Sequence, residues 1–270
     1  MNDFLHFDFD TMGTTAIITM EANHDWRVKS LTDKVEDICS YFDQRYSTYR
    51  EDSVLSLLRK GQSHPATWPA DFQQLIAAGD KYEAATGGHF TLTRPTGEWD
   101  PTGLVKAQAI DSVAIFLEAQ GIRRFSVNIG GDIVLGPEVL PSDLSRIAIT
   151  PPVALRDGVQ APALVLDLAS SQYTAIATSG TTERGDHIWS PVSSDDAPIQ
   201  ATVVASDIVT ADTWATALVA GGQDALDRFL AAGEDEAVIF SSRTQMVITP
   251  GLSALLATPH EHEPRFQQAS

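Results

Sequence analysis

The sequence predicts an α+β fold in which antiparallel-rich sheets pack against helices. Three observations predict it. Apolar residues recur at helical spacing over most of the chain up to Gly121. Beyond that point the period drops to two, as in strands. The later strands also follow one another with few helices between them, which a doubly wound parallel sheet does not allow.

The elements follow in order. Residues 14–20 are short and rich in β-branched side chains, a strand signal. Val28, Leu31, Val35, Ile38 and Phe42 form one face of an amphipathic helix, with Asp33, Glu36 and Asp37 turned to solvent. Phe72, Leu75, Ile76, Gly79 and Tyr82 mark a second helix, stopped by Gly87 and Gly88. A third starts after Pro101 and Gly103, runs through Ala109, Val113, Phe116 and Leu117, and closes at Gly121. Residues 125–129 and 133–135 read as strands around a Gly130-Gly131-Asp132 turn. Further strand patterns lie at 146–150, 164–168, 173–177, 201–205, 236–240 and 245–249. Two helices interrupt them: a short one with Trp214, Ala217, Leu218 and Gly221 on one face, and another over 225–230. Segments 151–162 and 190–198 read as surface insertions. The expectation is a single domain over 1–258 and a polar, frayed tail over 259–270.

Composition narrows the function. Of 270 residues, 18 are Lys or Arg and 36 are Asp or Glu, a net charge of −18, and 43% are hydrophobic. That apolar content excludes a disordered chain. The charge argues against nucleic acid and anionic membrane surfaces as partners. An anionic ligand would need local help from a metal ion, a helix N-terminus or a Lys. Cys39 is the sole cysteine, so neither an intrachain disulfide nor a cysteine zinc site can form, and a half-buried structural thiol is expected. No segment approaches the roughly 20 apolar residues of a membrane span. The first ten residues lack a basic leader. A cytoplasmic location is therefore expected.

Several short patterns carry candidate chemistry. Asp212 and Thr216 lie at i and i+4 on a helix, where a carboxylate and a hydroxyl could ligate Mg²⁺. The alternative is that Asp212 caps the helix and Thr216 packs on the sheet. The segment from Asp100 to Lys106 sets a carboxylate, a turn and a Lys before a helix, and only 5 of the 18 basic residues are Lys. It could receive a phosphate, or be a capped turn with a solvated Lys. Asn128-Ile-Gly-Gly-Asp132 could bring backbone close to a ligand or simply turn a hairpin. Ala177-Thr-Ser-Gly180 could present hydroxyls at a sheet edge. His187 could serve as a general base or be a solvated loop residue. No Gly-x-Ser-x-Gly elbow supports a serine hydrolase on Ser179.

In order, these patterns and their neighbours form a set: Thr11-Met-Gly-Thr14, residues 42–50 and 52–56, Gly87-Gly-His-Phe90, the Asp100 to Lys106 segment, residues 127–133, Ala177-Thr-Ser-Gly180, His187-Ile188 and residues 211–218. The set resembles the ApbE family, the FAD:protein FMN transferases. The resemblance implies a T-fold-like architecture. It also implies an enzyme that binds FAD with Mg²⁺ and joins FMN through a phosphoester to a Thr or Ser of an acceptor flavoprotein, releasing AMP. By the same resemblance, Asp212, Thr216 and the Gly103 carbonyl hold Mg²⁺. Met12, Tyr49, His89, Phe90, Thr91, Asp100, Lys106 and His187 contact FAD, and His187 is the candidate base. The sequence departs from the family pattern at Thr91, Ala107 and Ser190, where Asp, Gly and Asp are usual. An FAD pyrophosphatase or a non-catalytic flavin-binding protein are the alternatives.

Overall fold

The structure is a computed structural model that describes residues 4–21, 28–48, 50–62, 68, 70–152, 162–169, 171–181, 188, 197–241, 245–257 and 267–269. Its strands are β1 (Phe4–Thr11), β2 (Thr14–Glu21), β3 (Phe125–Ile129), β4 (Asp132–Leu135), β5 (Arg146–Ile149), β6 (Leu164–Asp167), β7 (Ala175–Gly180), β8 (Pro198–Ala205), β9 (Glu236–Ser241), β10 (Met246–Ile248) and β11 (Gln267–Ala269). Its helices are α1 (Val28–Tyr46), α2 (Val54–Arg59), α3 (Ala70–Thr86), α4 (Thr102–Ala119), the single turn α5 (Ser142–Ser145) and α6 (Ile208–Ala232), with a 3₁₀ turn at Pro250–Leu255. An eight-stranded sheet runs in the order β1-β2-β3-β4-β7-β8-β9-β10, antiparallel at each step. A second sheet, β11-β5-β6, covers part of one face.

The period of two in the strands divides the large sheet between two cores. Ala16, Ile18 and Met20 of β2, Phe125, Val127 and Ile129 of β3, and Ala201 and Val203 of β8 face the helices. Ile133 and Leu135 of β4, Ile176 of β7, Val204 of β8, and Val238 and Phe240 of β9 face the small sheet, where Ile147, Ile149 and Leu166 meet them. The central strands are covered on both sides, so β3 and β4 are buried along their whole length. The helical layer is centred on α6, which packs on β7 and β8 and carries α4 and α3. Cys39 is fully enclosed in this layer rather than half-buried, and burial pushes its thiol up to about 12.

Four local features differ from the sequence expectation. The first segment forms edge strand β1, with Leu5, Phe7 and Phe9 packed on the core and His6, Asp8 and Asp10 exposed. Residues 54–59 form α2, capped by the Ser53 hydroxyl, which accepts from the Ser56 N–H. The two helices expected around Gly221 are limbs of α6, broken at Gly222, whose φ of 56° and ψ of −128° suit glycine alone at low cost. The segment expected to fray contributes β11, which pairs parallel with β5.

The start of α6 gathers acidic groups. Asp207 caps it, accepting from the Thr210 N–H at 2.8 Å. Burial, reinforced by Asp207, Glu234 and Glu236, pushes Asp235 up to about 6 from the ordinary 3.8. For an acid raised in the folded state, the penalty is complete above the folded value and disappears below the unfolded one. Asp235→Asn is therefore expected to stabilise the protein at about pH 7.5 by on the order of 1 kcal/mol, after allowance for solvent screening. Urea unfolding across pH checks this. The gain should shrink as pH falls through 6 toward 4, and a gain independent of pH would contradict it.

Candidate active site

Two hairpin tips lie side by side at one end of the large sheet. β1 and β2 are joined by Met12 and Gly13, whose φ values of 48° and 73° are both positive, as a two-residue hairpin turn of this hand requires. Met12 is the one non-glycine residue with positive φ among the described residues. Holding it there costs on the order of 1 kcal/mol, and such strain clusters at functional sites. The Gly130-Gly131 turn joins β3 and β4. Gly131 donates its N–H to Asn128 Oδ1 at 3.0 Å, and Gly130 donates to the Thr15 carbonyl at 3.2 Å, which ties the two tips together.

Lys106 projects from the second turn of α4 onto this end and ion-pairs with Asp132, the first residue of β4. The Asp132 side chain is fully buried and that of Lys106 is 12% exposed, so this Lys is not a solvated one. Asp132 also extends the sheet. The β4–β7 ladder pairs Ile133 with Ile176 and Val134 with Ala175. One step beyond, Asp132 Oδ1 accepts the Thr178 N–H at 3.2 Å. In the sequence Asp132 reads as part of the Gly130-Gly131 turn. A buried acid facing a conspicuous Lys becomes visible only when α4 and β4 are packed together.

The next residue of β7, Ser179, faces α6, and its Oγ lies 2.9 Å from Thr216 Oγ1. Asp212 sits one turn before Thr216 and is 6% exposed. It does not cap the helix, because Asp207 does. The cap alternative for Asp212 is thereby removed, while the packing of Thr216 on the sheet is as that alternative had it. The patterns at 100–106, 128–132, 177–180 and 211–218 thus meet in one run of contacts: Lys106 to Asp132, Asp132 to Thr178, then Ser179 to Thr216.

The remaining candidates take other positions. The Asp100 side chain is fully buried, with Arg94 Nε at 2.8 Å, Arg59 at 3.2 Å, and the N–H and hydroxyl of Thr102 at 3.0 and 2.6 Å. Burial raises its pKa, but the hydrogen bonds from Thr102 and Arg94 prevail and hold it below the usual carboxylate value. It thereby anchors the start of α4, which carries Gly103 and Lys106. Arg59 lies far off in the sequence and Arg94 six residues before Asp100, and no local pattern marks either as its partner. Gly103 is exposed in the first turn. Phe90 is core, its ring edge 3.4 Å from where a Gly103 Cβ would stand. Thr91 donates to Glu83 at 2.7 Å. His89 contacts Asp224 at 2.7 Å and lies flush on Gly221, where any Cβ would sit 2.4 Å from its ring. Tyr49, His187 and Ser190 lie outside the described residues. A surface cavity between α1 and α4, lined by Lys29, Leu31, Phe116 and Gln120 among others, shares no residue with this cluster.

The donor chemistry defines what the cluster can hold. Among the described residues no group of three or more His, Cys, Asp or Glu is placed to bind a metal by protein ligands alone. Asp212 with the Thr216 hydroxyl is a sparse, all-oxygen set. That fits Mg²⁺, which keeps few protein ligands and fills its octahedron with phosphate and water. Lys106 adds a cation, and the hairpin backbone a close approach. Among the described residues no helix is long and apolar enough to cross a membrane.

Fold and site together define an α+β protein with a helical layer on an antiparallel sheet and, at one sheet end, a contact cluster of Lys106, Asp132, Ser179 and Thr216. The model of the ApbE family matches residues 12–96 and 92–240, and the chain belongs to that family. Solved structures share the fold. A flavin transferase ApbE from Vibrio cholerae superposes with a TM-score of 0.78 at 20% identity, covering 95% of this chain and 100% of that one. The flavinyl transferase ApbE of Pseudomonas stutzeri, in its apo form, gives 0.71 at 19% identity over 95% and 98%. The ApbE protein of Thermotoga maritima gives 0.71 at 16% identity over 95% and 100%. No curated protein sequence matches the chain.

Proposed function

We propose that this protein is a Mg²⁺-dependent FAD:protein FMN transferase. Family membership and the names of the similar structures support flavin transfer. The observation that carries the reading furthest is the contact run from Lys106 through Asp132 and β7 to Thr216, one turn from Asp212. It sets a cationic side chain and an oxygen donor pair on one sheet end, as a pyrophosphate and its metal require.

In the reaction, the hydroxyl oxygen of an acceptor Thr or Ser bonds to the phosphorus of the FMN half of FAD. The bond to the AMP oxygen breaks, AMP leaves, and the hydroxyl proton passes to a base. His187 is proposed for that base. Mg²⁺ held by Asp212, Thr216 and the Gly103 carbonyl would neutralise the pyrophosphate and polarise the scissile phosphorus. Lys106 holds the phosphates. Met12 offers a polarisable apolar side chain to the flavin ring. Asp100 contributes by fixing the start of α4. Tyr49, His89 and Thr91 complete the proposed flavin-nucleotide contacts, and Phe90, which is core, backs Gly103 from within the fold.

The test incubates the protein with FAD and Mg²⁺, with and without a Thr-bearing acceptor peptide, and follows AMP, FMN and peptide mass. AMP with FMN-bearing peptide is the expected result. AMP with free FMN in both arms would make the protein a pyrophosphatase. FAD bound without AMP would make it a flavin-binding protein.

A further inference from the structure

A hydroxyl that ligates a cation does so through a lone pair, so its hydrogen must point elsewhere and find an acceptor. Among the described residues, the side-chain partner of the Thr216 hydroxyl is Ser179 Oγ at 2.9 Å, where either oxygen can be the donor. Ser179 is itself held firmly. It is 6% exposed, its main chain pairs with Ala201 of β8, and the preceding residue is tied to Asp132 through the Thr178 N–H. We propose that Ser179 is a positioning residue of the metal site, accepting the Thr216 hydroxyl hydrogen and so turning the Thr216 lone pair toward the cation. This rests on the proposed reading in which Asp212 and Thr216 hold Mg²⁺.

The arrangement gives the site a built-in selector. With no cation, the two hydroxyls can donate in either direction. A cation at Thr216 leaves one direction, from Thr216 to Ser179. Thr216 has few rotamers in a helix, so the remaining freedom lies in its hydroxyl hydrogen. Removing the Ser179 oxygen leaves that hydrogen without its partner in a part-buried place and sets it in competition with the metal. Outer groups that orient a metal ligand in this way typically contribute about 10- to 100-fold in affinity.

The test titrates the protein with Mn²⁺, read by electron paramagnetic resonance, with ADP supplying a pyrophosphate that carries no flavin to transfer. Ser179→Ala is expected to weaken Mn²⁺ binding by about 10-fold or more. It should also raise the Mg²⁺ concentration for half-maximal AMP release from FAD more than it lowers the rate at saturating Mg²⁺. Ser179→Thr, which keeps an oxygen at that place, should restore most of the affinity. Asp212→Ala is the control. If Asp212→Ala loses Mn²⁺ while Ser179→Ala binds it like the parent protein, the Ser179 inference fails alone. If both variants bind Mn²⁺ like the parent, the metal reading fails with it.

Discussion

Asp212→Ala is expected to reduce Mg²⁺-dependent AMP release from FAD by about 100-fold or more, because a metal acting as Lewis acid contributes several kcal/mol at the reacting phosphorus. Asp212 is the sole carboxylate of the proposed donor set, and the field around it is unfavourable to the substrate. The chain carries a net charge of −18, and FAD brings an anionic pyrophosphate. Without the cation, substrate approach meets repulsion that one Lys does not offset. FAD binding should therefore weaken in chelator as well as in the variant, and chelator should add nothing once Asp212 is gone. Asp212 does not cap α6 and stands outside the first turn, so the loss should appear in turnover and metal dependence before it appears in the melting temperature. Asp212→Ala with normal AMP release at limiting Mg²⁺ would contradict the assignment.

How much of this site was legible in the sequence depends on the distance over which each signal acts. The α+β class was readable because helical and strand periods are local properties of the chain. The stop at Gly87-Gly88 and the hairpin at Gly130-Gly131 were readable because glycine is needed there in any packing. The first ten residues, noted in the sequence only for lacking a basic leader, supply most of edge strand β1, in which Leu5, Phe7 and Phe9 alternate with polar residues. The split α6 was readable as two helices, and only the three-dimensional path shows that they adjoin directly at a kink at Gly222. Asp212 looked like a cap because the true cap, Asp207, also precedes an apolar run. Asp132 and Ser179 were hidden for a different reason. Their partners, Lys106 and Thr216, lie on helices far away in the chain, and no local pattern encodes a contact between distant elements. The family resemblance joined these motifs in order; the fold joins them in space.

The second large effect falls on stability. Asp132→Ala is expected to cost about 3–5 kcal/mol, because removing one member of a buried ion pair leaves the other charge without compensation. Lys106 is 12% exposed and Asp132 fully enclosed, so water cannot readily take over. The same substitution strips the Thr178 N–H of its acceptor, where the main-chain ladder between β4 and β7 has already ended. Asp132→Asn keeps an oxygen for that N–H and loses only the charge, so its cost should be smaller. A double variant, Lys106→Met with Asp132→Leu, replaces both charges by apolar groups and should recover more than half of the Asp132→Ala loss, since a well-packed apolar pair often matches a buried ion pair in stability. Urea unfolding of the three variants separates the two contributions: the Ala-to-Asn difference reports the lost N–H acceptor together with the void, and the double variant reports the stranded charge. If Asp132→Ala unfolds within about 1 kcal/mol of the parent, the pair is not carrying a buried charge. The double variant should at the same time be the weakest binder of FAD, however stable it proves, because it has given up the Lys proposed to hold the phosphates. Stability regained with binding lost would mark Lys106–Asp132 as a pair kept for the ligand and not for the fold.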